Sequence, residues 1–350
     1  MLVHPKTLSI ITMHQCTAAC DHCCFTCSPK VTKAIPYERM QKLIDEAREI
    51  PSISVIVFTG GECFLLKSKL DALIELAHSY GYTTRCVTNG YWATSRHTAE
   101  MRVKKLVDAG LNEINFSTGT FHSRYVPVDY IINGAYACYN AGIRTLINAE
   151  LFNESTFDIN AILQHPDLVD HIEQKRITVQ RNVWIDNKGE TSLTHLVEHS
   201  RFNEQLKSGC KTALNVLSVT PDLDLVACCG LHLEHIPDLH LGSIANVTLK
   251  SLIKETPDDF LKIWIHVEGP ERILEFVKSY LPDYKLPLNS VHPCETCLHL
   301  YSDKEAKQVI RDHYHEVEGR VIEEYLTSLA ANALDKKMQD HQKAVLSGAD

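Results

Sequence analysis

Short apolar runs alternate with longer amphipathic stretches along the first half of the chain, up to about residue 182. A short apolar run is typical of a strand buried in a parallel sheet, and apolar residues at helical spacing are typical of a helix that packs on that sheet. The pattern therefore predicts repeated βα units and an α/β fold. The predicted strands are Leu8–Met13, Ile53–Phe58, Thr83–Thr88, Glu113–Ser117, Arg144–Ala149 and Arg176–Gln180.

Amphipathic stretches between these strands predict helices. Gly110 and Gly142 follow two of them, at the place where a glycine commonly ends a helix. In a barrel of parallel strands, ligands bind at the carboxyl ends of the strands, so we expect the functional residues there. The predicted helices include Tyr37–Glu49, Lys67–Ser79, Thr98–Ala109 and Val128–Ala141.

The pattern changes after this region. Residues 183–208 have the composition of a connecting segment, and Leu214–Thr220 with Leu223–Ala227 predicts a β-hairpin. The charged stretch from Asp303 to about Val345 predicts one or two amphipathic helices that pack against the rest of the chain. We therefore predict four parts, namely residues 1–182, 183–208, 209–302 and 303–350.

Composition narrows the function classes. The chain has 350 residues, of which 44% are hydrophobic and 23% are charged, as in ordinary globular proteins. A formal charge of −9 without a dense basic run disfavours a nucleic-acid partner, because such binding depends on Lys and Arg at phosphates. The sequence contains neither an apolar stretch of about 18 residues nor a signal peptide, which predicts a cytoplasmic protein without a membrane partner.

Cysteines carry the strongest chemical signal. An odd number, 13, without a signal peptide favours metal binding in a reducing compartment over disulfides. Cys16, Cys20 and Cys23 stand in the spacing C-x3-C-x2-C just after the first predicted strand. Three thiolates on one tight loop can hold three irons of a [4Fe–4S] cluster and leave the fourth open to a small molecule. Structural zinc is the alternative for such a set.

The turn Thr59-Gly60-Gly61-Glu62 follows the second predicted strand. Together with the cysteine triplet, this turn resembles the radical S-adenosylmethionine (SAM) enzymes. The resemblance implies a partial (β/α)6 TIM-like barrel, and it implies that SAM chelates the open iron. It also implies that the turn binds the amino group of SAM, since paired glycines allow close backbone approach and a carboxylate suits an ammonium.

The resemblance extends to three further positions. Asn89 and Ser117 lie at the ends of the third and fourth predicted strands, where the family commonly contacts the ribose and carboxylate of SAM. His22 stands before the third cysteine, at a position that the family often gives to an aromatic ring. In the family, an electron from a reductant such as flavodoxin or ferredoxin leads to cleavage of SAM, and the resulting 5′-deoxyadenosyl radical abstracts hydrogen from an unactivated carbon.

Two features depart from the simplest match. Cys24 and Cys27 allow a second register, Cys20-Cys24-Cys27, with the same spacing. We favour the first register because Cys16 lies closer to the end of the first strand. Gly119 stands where a subset of the family commonly has an acidic residue, which weakens transfer of any acidic role to that position.

A second set of cysteines follows the predicted connecting segment. Its order resembles the short, twitch-like form of the SPASM extension, which implies one auxiliary [4Fe–4S] cluster. Cys228 and Cys229 are adjacent, and their side chains on an extended segment point to opposite faces, so the choice between them stays open, with Cys228 favoured. A zinc site is the alternative. The predicted ligands are Cys210, Cys228, Cys294 and Cys297.

Auxiliary-cluster extensions in the family frequently serve peptide maturation, so we expect a peptide substrate that is oxidised, crosslinked through carbon or thioether bonds, or epimerised. Cys63 is a candidate hydrogen donor for epimerisation, with packing behind the turn as the alternative. A dehydrogenase or rearrangement enzyme for a small molecule is the second hypothesis. A non-enzymatic iron–sulfur or zinc sensor or scaffold is the third. The barrel begins almost at Met1, so we expect no separate module for a leader peptide.

Overall fold

The six predicted parallel strands all form, each within two residues of its predicted bounds. The structure is a computed structural model that describes residues 4–150, 155–182, 207–257, 259–288, 290 and 292–347. Most of the predicted connecting segment therefore lies outside the described residues. Strands β1 to β6 are Thr7–Ile11, Val55–Thr59, Thr83–Thr88, Glu113–Gly119, Arg144–Glu150 and Ile177–Asn182.

Helices α1 to α6 follow these strands in the expected alternation. Gly110 and Gly142 have φ angles of 85° and 81°, which a glycine adopts without strain as it ends α3 and α4. The α/β fold with a barrel-like parallel sheet is thus confirmed. The six helices are Tyr37–Ala47, Ser68–Ser79, Arg96–Asp108, Val128–Asn140, Asn160–Leu163 and Val169–Glu173, and a 3-10 helix covers Cys63–Leu66.

Three more strands extend the same sheet. They are β7, Val216–Val219, β8, Asp224–Val226, and β9, His240–Ser243. β7 runs parallel to β1, and β8 and β9 continue antiparallel, so that the order is β6-β5-β4-β3-β2-β1-β7-β8-β9. The hairpin strands are shorter than predicted because Leu214 and Leu223 have φ angles of 61° and 63°, which lie outside the strand region.

Alternate residues of the strands face two different environments. Leu8 and Ile10 of β1 are fully buried in the main hydrophobic core, which lies between the sheet and its helices. Thr7, Ser9 and Ile11 of the same strand line a cavity on the opposite face. This period of two is the geometry of a pleated strand, and it separates the core from the site.

The C-terminal half adds helices α7 to α12 and a second hydrophobic core. Trp264, Val321 and Tyr325 are buried together in that core, and the Asp303 carboxylate accepts hydrogen bonds from the backbone N–H groups of Glu305 and Ala306, which caps α11. The charged tail is therefore helical, and its first part packs on this core, as its pattern predicts. The bounds are Leu249–Glu255, Phe260–Glu268, Pro270–Tyr280, Pro293–Ser302, Lys304–His313 and His315–Ser347. No helix among the described residues is both long and apolar enough to cross a membrane.

Candidate functional site

A cavity of about 330 Å³ opens at the carboxyl ends of the parallel strands. Its wall combines inward-facing strand residues with the loop of residues 14–28 that follows β1, which we call the cysteine loop. The structure brings most of the predicted site residues to this one cavity. They are Cys16, Cys20, His22, Cys23, Gly60, Gly61, Asn89 and Ser117.

Hydrogen-bond donors approach two sulfurs of the cysteine loop. The backbone N–H of Ala18 and the side-chain amide of Asn89 donate to Sγ of Cys16 at 3.4 and 3.5 Å. The backbone N–H of Cys27 donates to Sγ of Cys23 at 3.3 Å. Metals bind the thiolate form of cysteine, and N–H donors stabilise that form. The donor chemistry therefore fits a group held by thiolates.

Burial opposes ionisation in the same loop. It raises the pKa of Cys16 to about 11, and the N–H of Ala18 acts in the opposite direction. A hydrogen bond from the side chain of Cys27 lowers the pKa of Cys23 to about 6. Cys24 and Cys27 also line the cavity, but burial raises the pKa of Cys24 and the bond to Cys23 raises that of Cys27. Burial likewise raises the pKa of Cys20, so these shifts do not separate the two registers, and the first register stays a prediction.

The glycine pair brings the turn after β2 directly against the cysteine loop. A Cβ at Gly60, where φ is 130°, would lie 2.5 Å from the carbonyl oxygen of Met13, and a Cβ at Gly61 would lie 2.1 Å from that of Gln15. Backbone hydrogen bonds from Gly61 to Met13 and from Glu62 to Gln15 hold this approach at 2.6 and 2.9 Å. The chain's own backbone therefore requires both glycines.

Glu62 is fully buried and joins the ends of β2 and β3. Its carboxylate accepts hydrogen bonds from the backbone N–H of Phe64 at 3.0 Å, from the hydroxyl of Thr88 at 3.0 Å and from the backbone N–H of Asn89 at 2.8 Å. Burial raises the pKa of Glu62 to about 7, and these hydrogen bonds act in the opposite direction. Unlike the two glycines, Glu62 lies behind the residues that line the cavity.

The structure does not place Cys63 in the cavity. Its side chain is fully buried in the main hydrophobic core, and its thiol donates to the carbonyl oxygen of Val87 at 3.3 Å. Glu62 begins the 3-10 helix that carries Cys63 and turns this side chain toward the core. A core thiol of this kind cannot reach a substrate in the cavity. The structure therefore does not support Cys63 as the hydrogen donor.

Glu150 explains why a glycine, and not the acidic residue of the family subset, stands at position 119. Sequence analysis did not identify Glu150. The two residues are register partners in β4 and β5, and a Cβ at Gly119 would lie 1.6 Å from Oε2 of Glu150. The Glu150 side chain, which is nearly fully buried, accepts hydrogen bonds from the backbone N–H of Phe121 at 2.7 Å and from Nδ1 of His122 at 3.3 Å. A carboxylate from the neighbouring strand thus occupies the space beside Gly119.

The loop after β4 packs on the cysteine loop. The His22 ring lies 4.8 Å from the Phe121 ring and 5.0 Å from the His122 ring. The Tyr125 hydroxyl donates to the carbonyl oxygen of Ala19 at 2.8 Å. Burial lowers the pKa of His22 to about 2, which keeps its ring neutral. His22 therefore lies in the cavity wall as a buried, uncharged aromatic side chain.

The second set of cysteines surrounds a smaller cavity of about 40 Å³. Cys228 lines this cavity, whereas Cys229 is exposed and lines the larger cavity with the cysteine loop. The adjacent residues thus line two different cavities, and a hydrogen bond joins the Cys229 side chain to Thr212, which lines the small one. The thiols that meet in the small cavity are those of Cys210, Cys228, Cys294 and Cys297.

The small cavity also suits thiolates. Burial raises the pKa of Cys228 and Cys294, while backbone N–H groups of residues 230 to 232 act in the opposite direction. A Cβ at Gly230 would lie 3.0 Å from Sγ of Cys294 and 3.8 Å from Sγ of Cys228, so this short segment passes close to both sulfurs. Four thiols that are buried or partly buried, two of them with N–H donors close by, fit a metal or an iron–sulfur cluster.

Comparison with known proteins identifies the family of the first part of the chain. Residues 10–194 match the model of the Radical SAM superfamily. YydG from Bacillus subtilis (strain 168), named "Putative peptide biosynthesis protein", is 31% identical over 131 residues. That match covers 37% of this chain and 41% of YydG, so the chain spans less than half the length of this relative.

Two solved structures are similar to this chain. One is native anSMEcpe with bound AdoMet and Cp18Cys peptide, which is 14% identical, with 92% of this chain and 99% of that chain covered at a TM-score of 0.52. The other is Streptococcus suis SuiB bound to precursor peptide SuiA, at 13% identity, 78% and 73% coverage and a TM-score of 0.42. At such identities the likeness to solved structures concerns the fold alone.

Proposed function

The chain belongs to the radical SAM superfamily, and from this premise we propose that it is an enzyme that epimerises a residue of a peptide substrate. Membership implies a [4Fe–4S] cluster and SAM, and it excludes the hypothesis of a non-enzymatic sensor or scaffold. The observation that supports the proposal is the position of Cys229, a residue that lines the same cavity as the cysteine triplet but comes from a different part of the chain.

The cavity residues divide into those that hold the cluster and those that bind SAM. We assign Cys16, Cys20 and Cys23 to the cluster. When bound, the cluster and SAM supply a 5′-deoxyadenosyl radical that takes a hydrogen atom from an unactivated carbon. The residues that we assign to SAM position it and exclude water, and His22 does so as a neutral ring. They are His22, Gly60, Gly61, Glu62, Asn89 and Ser117.

Cys229 supplies the second half of an epimerisation. A substrate carbon that has lost a hydrogen atom is planar and can receive a new one on the opposite face. The S–H bond of Cys229 breaks, a C–H bond forms at that carbon, and the thiol is left as a thiyl radical. One electron from a reductant of the flavodoxin or ferredoxin class, with one proton, restores the thiol. One hydrogen atom therefore leaves one face of the substrate carbon, and a different hydrogen atom arrives at the opposite face.

The name of YydG supports a peptide substrate, because it assigns that relative to peptide biosynthesis. The solved structure of anSMEcpe, which has a similar fold, contains a bound peptide, and this also supports the proposal. For the small cavity we propose one auxiliary [4Fe–4S] cluster on Cys210, Cys228, Cys294 and Cys297, whose four thiolates match its four irons.

The proposed function is tested with the anaerobically reconstituted protein, SAM, dithionite and a short peptide encoded beside its gene. We expect 5′-deoxyadenosine, a peptide mass gain that corresponds to one deuterium in deuterated water, and a D-amino acid after chiral analysis of the hydrolysate. A peptide that loses two hydrogens instead would show oxidation or crosslinking and contradict epimerisation. Clusters without any 5′-deoxyadenosine would contradict the radical reaction itself.

The affinity for SAM is expected to rise with pH because of Glu62. Its pKa is raised to about 7, so its carboxyl is neutral at pH 5.5 and mostly ionised at pH 7.5. Only the ionised form attracts the amino group of SAM, so the affinity should increase toward the limit of about tenfold per pH unit below that pKa. Titration of the reconstituted protein with SAM at several pH values measures this.

Two variants control for other titrating groups near Glu62. Glu62→Gln removes the carboxylate and should make the affinity low and nearly independent of pH. The charge of His122 lowers the pKa of Glu62, so His122→Asn should leave the rise in place and move its midpoint upward. A wild-type affinity that does not change over this range would show that the charge of Glu62, which lies behind the cavity lining, does not act on the amino group.

A further inference from the structure

His232 places an imidazole beside the four cysteines of the small cavity. The residue lines this cavity and is only 5% exposed. Its Nδ1 is buried and has no hydrogen-bond partner among the described residues. The sequence gives no sign of this position, because His232 is one of 19 scattered histidines.

Few of the residues around His232 in this cavity carry polar side chains. Four of the other residues that line the cavity are large and apolar, and none of the lining residues carries a carboxylate. The neighbouring His292 already accepts a hydrogen bond from the backbone N–H of Cys294 at 3.1 Å through its Nδ1. The His235 ring lies 5.9 Å from the His232 ring in an edge-on contact, and its side chain is exposed. The four apolar residues are Leu233, Ile236, Leu239 and Ile265.

A buried nitrogen without a partner is unfavourable, and native proteins rarely keep one. The group bound by the four thiols would supply the missing partner. Four cysteines already fill the four iron positions of a [4Fe–4S] cluster, so an additional imidazole is not needed as a ligand. Its remaining role is to donate an N–H hydrogen bond to a sulfur atom, because the sulfur atoms of such a cluster are hydrogen-bond acceptors.

We propose that His232 donates a hydrogen bond from Nδ1 to a sulfur atom of the auxiliary cluster and thereby raises the reduction potential of that cluster. The inference rests on the auxiliary cluster of the proposed function. A hydrogen bond to sulfur stabilises the more negative, reduced state of the cluster, and this is an established means of tuning its potential. His232 thus acts through the cluster and is not one of its ligands.

The test uses the full chain with both clusters, and the variant Cys16→Ala/Cys20→Ala/Cys23→Ala isolates the signal of the auxiliary cluster. Redox titration followed by electron paramagnetic resonance gives its potential, and labelling with ¹⁵N-histidine gives the coupling of nitrogen to the electron spin. In His232→Phe we expect the iron content of the auxiliary site to be kept, its potential to shift to a more negative value and a weak nitrogen coupling to vanish.

His235→Phe is the matched control, since His235 is nearby but does not line the cavity. It should change neither the potential nor the coupling. If His232→Phe does not assemble the cluster, His232→Gln decides, because its amide can donate the same hydrogen bond and should restore a potential near that of the wild type. An unchanged potential in His232→Phe, or a failure of His232→Gln to restore it, would overturn the proposal.

Two further outcomes also overturn it. A strong nitrogen coupling would show that His232 is an iron ligand, and zinc in the four-cysteine site would remove the cluster altogether. None of these measurements involves a peptide. Their failure is therefore distinguishable from failure of the epimerisation proposal, which depends on Cys229 and is read from the product.

Discussion

Replacement of Cys16, Cys20 or Cys23 by alanine is expected to abolish the formation of 5′-deoxyadenosine. Each change removes one of three thiolates that we assign to the cluster, and in the structure N–H donors approach Cys16 and Cys23. Iron analysis after reconstitution should show a loss of about four irons per chain, the content of one cluster. The auxiliary site, on other cysteines, should keep its iron.

Cys24→Ala and Cys27→Ala are the matched controls from the same loop. Both thiols line the cavity, but we expect both variants to retain the cluster and most of the activity. Cys27→Ala removes the hydrogen bond that lowers the pKa of Cys23, so a moderate loss of cluster stability is compatible with our assignment. An active Cys16→Ala together with inactive Cys24→Ala and Cys27→Ala would instead establish the second register.

Cys229→Ala and Cys228→Ala are expected to fail in different ways, although the two residues are adjacent. Cys229→Ala should still cleave SAM and remove hydrogen from the peptide, but the substrate radical then lacks its donor. We expect the D-amino acid to disappear while 5′-deoxyadenosine still forms. Cys228→Ala should lose about four irons, because its thiol lines the small cavity.

Cys63→Ala is the control for a thiol that does not face the substrate. It should keep epimerisation with solvent deuterium and at most reduce stability, because Cys63 is part of the core. If Cys229→Ala still produced the D-amino acid with deuterium from solvent, another group would be the donor. If Cys229→Ala lost iron and Cys228→Ala did not, the assignment of the two thiols would be reversed.

Much of the barrel follows from local rules. The bounds of β3 agree residue for residue with the predicted strand, and Gly110 and Gly142 mark helix ends through their positive φ angles. The sequence also predicts that each strand buries one face and leaves the other for a site, because successive side chains of a strand point to opposite faces. The glycine pair and the cysteine triplet are close in space for a similar reason, since neighbouring parallel strands end at the same edge.

Other features depend on contacts between segments that are distant in sequence. Glu150 occupies the space beside Gly119 only because β4 and β5 pair in one particular register. Cys63 turns into the core because Glu62 starts a 3-10 helix there. His232 becomes a candidate functional residue only because it lines one cavity with Cys294 and Cys297, which lie more than 60 residues further along the chain. No periodicity or spacing in the sequence predicts these contacts between distant segments.

The pairing of β7 with β1 has a consequence for how this protein can be divided. A chain that stopped before residue 216 would leave β1 with an unpaired row of backbone N–H and C=O groups. Exposed strand edges of this kind recruit other strands and promote aggregation. The four-cysteine unit is therefore not a removable module, and exchanging it between relatives would succeed only when the junction is placed outside the hairpin that completes the sheet.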